Sequence, residues 1–120
     1  MNIKEIAFTC YPVHDMARAR DFYENVIGLK SASVMENGGG NWIEYGIGDA
    51  VFSLGKMEGF NPSNNGANIA FEVENFDRAV QALKDRNTTF KMEPFETPVC
   101  HMALVEDTEG NLLIIHKRKQ

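Results

Sequence analysis

Only two cysteines occur in the 120 residues, Cys10 and Cys100. That is too few for a disulfide framework, and it predicts a reducing, cytoplasmic home. No apolar run is long enough to span a bilayer, and the opening MNIKEIAF lacks the apolar core of a signal peptide, reading instead as the start of a strand. No membrane partner is therefore expected. Positive charge is also scarce: 12 Lys and Arg stand against 17 Asp and Glu, a net charge of −5, and the one basic block is Lys117-Arg118-Lys119. Most of such a surface repels a polyanion, which excludes nucleic acid as the expected partner. No phosphate-cradling glycine loop, nucleophile elbow or CxxC motif is present; Gly38-Gly39-Gly40 has neither the lysine nor the strand-to-helix setting of a phosphate loop. What remains is the composition of a water-soluble globular domain, 43% apolar and 24% charged, long enough to bury a sizeable core.

The chain restarts at its midpoint. FTCYPVHDM at 8–16 aligns without a gap on NIAFEVENF at 68–76, so that Val13 falls on Val73, Asp15 on Asn75, Met16 on Phe76 and Arg18-Ala19 on Arg78-Ala79. In the first copy, residues 3–11 read as a strand ended by Pro12. Asp15 is a good N-cap, and Met16, Ala19, Phe22, Tyr23, Val26 and Ile27 form one helical stripe closed by Gly28. Two-residue alternation in Trp42–Tyr45 and Ala50–Leu54, around Gly46-Ile47-Gly48-Asp49, predicts a hairpin with Ile47 and Gly48 at its tip. That register sets Trp42 opposite Ser53 and Glu44 opposite Val51, and turns Ile43, Tyr45, Phe52 and Leu54 toward the helix.

The second copy repeats the order. Asn75 caps a stripe of Phe76, Ala79, Val80 and Leu83, and strands follow near 88–92, 99–106 and 111–116, with Asp107–Asn111 as the last turn. GFNPSNNGAN at 59–68 is a linker by composition, and both it and the loop at Gly38–Gly40 could cover a cavity. The expected fold is α+β: one domain, 1–120, made of two βαβββ modules in tandem, about 1–60 and 61–120. Each sheet has one face under its helix and one left over, so two such sheets side by side would curl around a shared trough.

VHDMARARDFYENVIGLK at 13–30 and VEDTEGNLLII at 105–115 carry the resemblance to a known family. With the repeat, they are similar to the motifs of the vicinal oxygen chelate superfamily, which includes glyoxalase I, extradiol dioxygenases, fosfomycin-resistance enzymes and bleomycin-binding proteins. Thr108 stands where the second motif usually has proline. The resemblance covers nearly the whole chain and implies the glyoxalase/bleomycin resistance/dioxygenase fold, commonly as a homodimer. It also implies four trough positions that in the metal-dependent members supply His or Glu ligands, and here these are Phe8, Ser53, Asn68 and Ile114. Phe8 and Ile114 have no donor atom, and Ser53 and Asn68 offer only neutral oxygen. Divalent transition metals take imidazole, thiolate or carboxylate, usually three or more. The inherited metal site is therefore not expected, and neither is any other cofactor.

A shifted site is the alternative. Two residues along the strands lie Cys10 and His116, and a last turn spanning 107–110 would face His101 toward His116. The simpler reading is a small buried Cys10 and a His116 near a frayed end. His14, in the turn before the first helix, is expected to be solvated. Trp42 is either core filling or a broad apolar wall with one N–H donor. Glu44 and Glu72 share the trough-side parity but have no visible partner that would tune them for acid catalysis, so no catalytic residue is assigned. The leading expectation is a metal-independent protein that holds a small organic molecule among Phe8, Cys10, Trp42, Ser53, Asn68, Ile114 and His116. The alternatives are a metal-dependent lyase, isomerase or dioxygenase of the same superfamily, and a protein whose trough is filled by its own side chains and which acts by association.

Overall fold

Asp15 and Asn75 cap their helices by the same bond, each side-chain oxygen accepting the amide three residues on, at 3.0 Å from Arg18 and 3.0 Å from Arg78. The structure, a computed structural model, describes residues 1–30 and 40–120 in full and Ser33 and Val34 in the backbone alone. The loop expected at Gly38–Gly40 lies outside the described residues except for Gly40.

The elements run β1 (Thr9–Pro12), α1 (Met16–Asp21) with a π-helical continuation (Phe22–Ile27), β2 (Ser33–Val34), β3 (Trp42–Ile47) and β4 (Ala50–Gly55). After the linker come β5 (Ile69–Glu72), α2 (Phe76–Asp85), β6 (Phe90–Glu96), β7 (Cys100–Glu106) and β8 (Leu112–Arg118). They form two four-stranded sheets of identical order, β1-β4-β3-β2 and β5-β8-β7-β6. In each sheet the first strand pairs in parallel with the last, and the others pair antiparallel. The fold is α+β, with one βαβββ unit used twice.

Four local expectations are corrected. The first strand starts at Thr9, so residues 3–8 carry no strand. The stripe expected as one helix changes at Phe22 to π-helix, ending where the Gly28 amide bonds Tyr23 O with φ at 91°; the wider turn lets the adjacent aromatics Phe22 and Tyr23 both bury. The first hairpin turns at Gly48-Asp49, with Ile47 opposite Ala50, because Gly48 takes the positive φ (57°) that the first central position requires. Glu44 thus faces Ser53, and Trp42 faces Gly55. Lastly, β8 runs past the expected end at 116 to Arg118, and Lys119 Nζ meets Glu96 at 2.7 Å.

The helix-side residues of both sheets share one core. Ile43, Tyr45, Phe52 and Leu54 join Tyr11, Val13 and Tyr23 from the first unit and Leu83, Val105, Leu113 and Ile115 from the second. Phe52 meets Phe71 edge-on across the junction, their centroids 5.6 Å apart. Each sheet turns its other face away from this core.

The β7–β8 turn locks the units together. Glu109 accepts the His14 and Asp15 amides at 2.9 and 2.8 Å and the Arg18 Nε at 2.7 Å. Asp107 accepts the Tyr23 hydroxyl at 2.6 Å, and Asn111 donates to Pro12 O at 2.7 Å. Burial pushes the Glu109 carboxyl up, but the Arg18 guanidinium and the two amides outweigh it and hold it at about 2. A carboxyl held below its unfolded value near 4.3 stabilises fully above that pH, and the stability is lost as pH falls toward 2. We therefore expect Glu109→Gln to lower stability at pH 7 by about 2 kcal/mol. It should also flatten the loss of stability between about pH 4.5 and 2. Urea midpoints measured at several pH values check this, and parallel acid limbs in the two proteins would contradict it.

Candidate functional site

On the open face of the first sheet, the parity of β1, β3 and β4 brings Cys10, Trp42, Glu44, Ser53 and Gly55 together. Gly55 is what allows the indole to lie there. A Cβ at that position would stand 3.0 Å from Trp42 Cζ3 and 3.2 Å from Cys10 Sγ. Phe8 meets Trp42 edge to face, with centroids 5.4 Å apart at 89°. The indole N–H donates to Glu44 Oε2 at 2.9 Å. This link joins residues two apart on one strand, and the alternation of the strand could have revealed it.

Ser53 is fully buried and its hydroxyl donates to Thr9 O at 3.1 Å, so that donor is already committed. Burial raises the Cys10 thiol, which keeps it from being a ready thiolate ligand or nucleophile. Asn68 does not touch Trp42; it lines a cleft of about 210 Å³ with Cys10, Asn61, Ser63 and Asn111, where the two units meet. Tyr11 braces this junction, donating to Leu112 O and accepting the Ile69 amide at 2.7 Å, and burial first of all pushes its hydroxyl up to about 12.

Ile114 and His116 lie on the open face of the second sheet, cross-strand from Leu104 and Met102 and beside Ala70 and Glu72. Glu72, read from the sequence as unpartnered, is bonded to His116 Nδ1 and to the Arg118 amide, and the amide first, then the histidine, lower its carboxyl. The seven candidate residues thus fall into an aromatic group on the first sheet, a junction cleft, and a pair on the second sheet.

The proposed shifted metal set is not assembled. The final hairpin closes on Asp107 and Asn111, with Thr108–Gly110 as its loop, which pairs His101 with Lys117 and Met102 with His116. His101 and His116 therefore point to opposite faces, and His101 stacks on Phe76 at 5.5 Å. Among the described residues, no three His, Cys, Asp or Glu side chains are grouped as a metal would need. Phe8, Ser53, Asn68 and Ile114 do not fit a transition metal either: two lack donor atoms, and Ser53 and Asn68 offer only neutral oxygen. His14 is exposed, as expected, and its ring reaches Asn61 Oδ1 at 3.3 Å. A larger cleft of about 500 Å³ lies between the π-helix and the last hairpin, and none of the seven candidates lines it.

The chain belongs to the Glyoxalase/Bleomycin resistance protein/Dioxygenase superfamily, whose sequence model matches residues 5–115. Its fold is similar to that of a glyoxalase/dioxygenase from Nostoc punctiforme, with a TM-score of 0.81 at 17% identity over 99% of this chain and 94% of that one. An antibiotic binding protein from Streptomyces sp. CB03234 is similar over 99% of both chains, with a TM-score of 0.74 at 22% identity. A fosfomycin resistance protein from Mesorhizobium loti gives 0.73 at 16% identity over 97% of this chain and 93% of that one. No curated protein matches the chain in sequence.

The Gly55–Trp42 contact is open to test, since Trp42 is the single tryptophan. Gly55→Ala should displace the indole, shift its fluorescence maximum to the red, and lower stability by about 1–3 kcal/mol. Unchanged emission together with unchanged stability would show that the ring does not rest on Gly55.

Proposed function

We propose that this protein binds a small organic molecule without a metal, on the open sheet faces and the cleft that joins them. The observation that carries this reading is the residue set Phe8, Ser53, Asn68 and Ile114 at the four positions where metal-dependent relatives place ligands. An aromatic wall and a junction cleft supply desolvation and orientation, which is what a binding site requires. The Streptomyces neighbour, described as an antibiotic binding protein, supports sequestration as the mode of action. In this reading the chain is one domain whose modules meet near residue 60, Cys10 and Asn68 contact the ligand at the junction, and no side chain acts as catalyst. The two free cysteines suit a reducing cytoplasm.

Elemental analysis of the purified protein tests it, with no stoichiometric Zn, Fe, Mn or Ni expected and no glyoxalase or ring-cleaving activity. Native mass spectrometry after gentle purification should show a retained organic molecule. One equivalent of metal, lost on mutating Cys10, His101 or His116, would favour the metal-dependent alternative.

The same reading includes a homodimer. β1 and β5 are edge strands, and Ile3 and Ile6, at 78% and 85% exposure, extend from the free end of β1. Unpaired edges and exposed apolar side chains need cover, and a second copy supplies it. Sedimentation at micromolar concentration should give a dimer; a monomer alone would remove this part of the reading.

A further inference from the structure

Glu44 stands on a half-buried aromatic face without a cationic partner. One oxygen takes the Trp42 N–H, and among the described residues no Lys, Arg or His nitrogen lies within 4.0 Å of the other. Residues 31–39, SASVMENGG, contain no basic side chain that could serve. By contrast Glu24 and Glu109, also partly or fully buried, are paired with Arg20 and Arg18 at 2.7 Å each. Of its two cross-strand neighbours, Ser53 on β4 has its hydroxyl turned to Thr9 O, and Ser33 on β2 is described in the backbone alone.

Trp42, bonded to this carboxylate, meets Phe8 at a right angle to make an aromatic corner. Ring faces carry negative quadrupole density, so a corner of two rings beside a free carboxylate attracts a positively charged group from several directions. A strongly hydrated point charge would gain little there. A cation with an apolar skin, such as a quaternary or N-alkylated ammonium, gives up little hydration and gains both ring contacts. The chain's net charge of −5 favours its approach.

We propose that the Phe8–Trp42–Glu44 corner is a recognition site for an organic cation, and that the cationic nitrogen sits in the open angle of the two rings toward the Glu44 oxygen that nothing bonds among the described residues. The inference rests on the small-molecule binding reading and names the chemical class that the first-sheet face selects.

The sole tryptophan reports on the corner directly. Benzyltrimethylammonium, benzyl alcohol and benzoate are titrated in turn against the purified protein, following Trp42 emission. The cation should quench saturably in the millimolar range and bind at least about five-fold more tightly than the alcohol, with benzoate weakest. Glu44→Gln keeps an oxygen for the indole N–H and removes the charge, so it should bring the cation to the level of the alcohol. Phe8→Leu keeps the apolar volume and should weaken the cation by about three-fold while barely moving the alcohol. Equal affinity for alcohol and cation, or a preference that survives Glu44→Gln, overturns the inference and leaves metal-free binding standing with a neutral ligand. Silence toward all three probes at about 50 mM also overturns it. Metal-free binding is then decided separately by the molecule retained in native mass spectrometry.

Discussion

The buried carboxylate of Asp107 must find donors inside the protein, and those it finds belong to both halves of the chain. Tyr23 comes from the first unit, while the Glu109 amide and the amide and side chain of Asn111 come from the turn itself. Asn111 then reaches across to Pro12 O and accepts the Ser63 amide from the linker. Two residues after Asp107, the Glu109 side chain is completely buried against the opening of α1. A hairpin turn of the second unit thus holds the segment that leads into the first unit's helix, whose own cap is Asp15. Without it the His14 and Asp15 amides would lose their acceptor, and the shared core would lose bonds that tie its two units together.

That constraint explains why the site residues stand where they do. Pro12 O is held by Asn111, and Val13 donates to Gly55 O at 2.9 Å, so β1 is pinned at its C-terminal end against β4. Cys10 is consequently fixed beside Ser53, and Gly55 leaves the space in which Trp42 lies. Phe8 lies one residue outside β1, beyond the Thr9 carbonyl that Ser53 holds. Phe8 is 48% exposed and its recorded aromatic contact is Trp42 itself. The rigid side of the corner is therefore the indole on its glycine, and the adaptable side is Phe8.

The repeat was the most legible feature of the sequence, because it is written in caps and stripes whose physics is local. Asp15 and Asn75, sixty residues apart, cap helices that begin at Met16 and Phe76, and β1 and β5 begin at Thr9 and Thr9's counterpart Ile69. Face assignment also survived, since parity along a strand does not depend on where the hairpin turns by even steps: Ile43, Tyr45, Phe52 and Leu54 are all buried despite a register displaced by two residues. An odd step is not forgiven. A last loop one residue different from the one read at 107–110 moved His101 to the opposite face from His116 and dissolved the candidate metal set. The contacts of Glu109 with His14, Asp15 and Arg18 and of Asp107 with Tyr23 were not legible, because these partners lie more than eighty residues away and nothing local marks them.

The family's ligand positions are filled here by two side chains with no donor atom, Phe8 and Ile114, and two that offer only neutral oxygen, Ser53 and Asn68. A buried serine bonded to a main-chain carbonyl contributes to the register of β1 on β4, and that use conflicts with turning the same oxygen toward a metal or a ligand. The same holds for Glu72, whose two oxygens serve His116 and the Arg118 amide and so tie β5 to the end of β8. Glu44 differs from both: it gives one oxygen to the indole, and among the described residues nothing bonds the other, on a face where the neighbouring surface is aromatic. Polar groups that are spent inside the fold specify the fold, and the carboxylate with spare capacity is the one placed to specify a ligand.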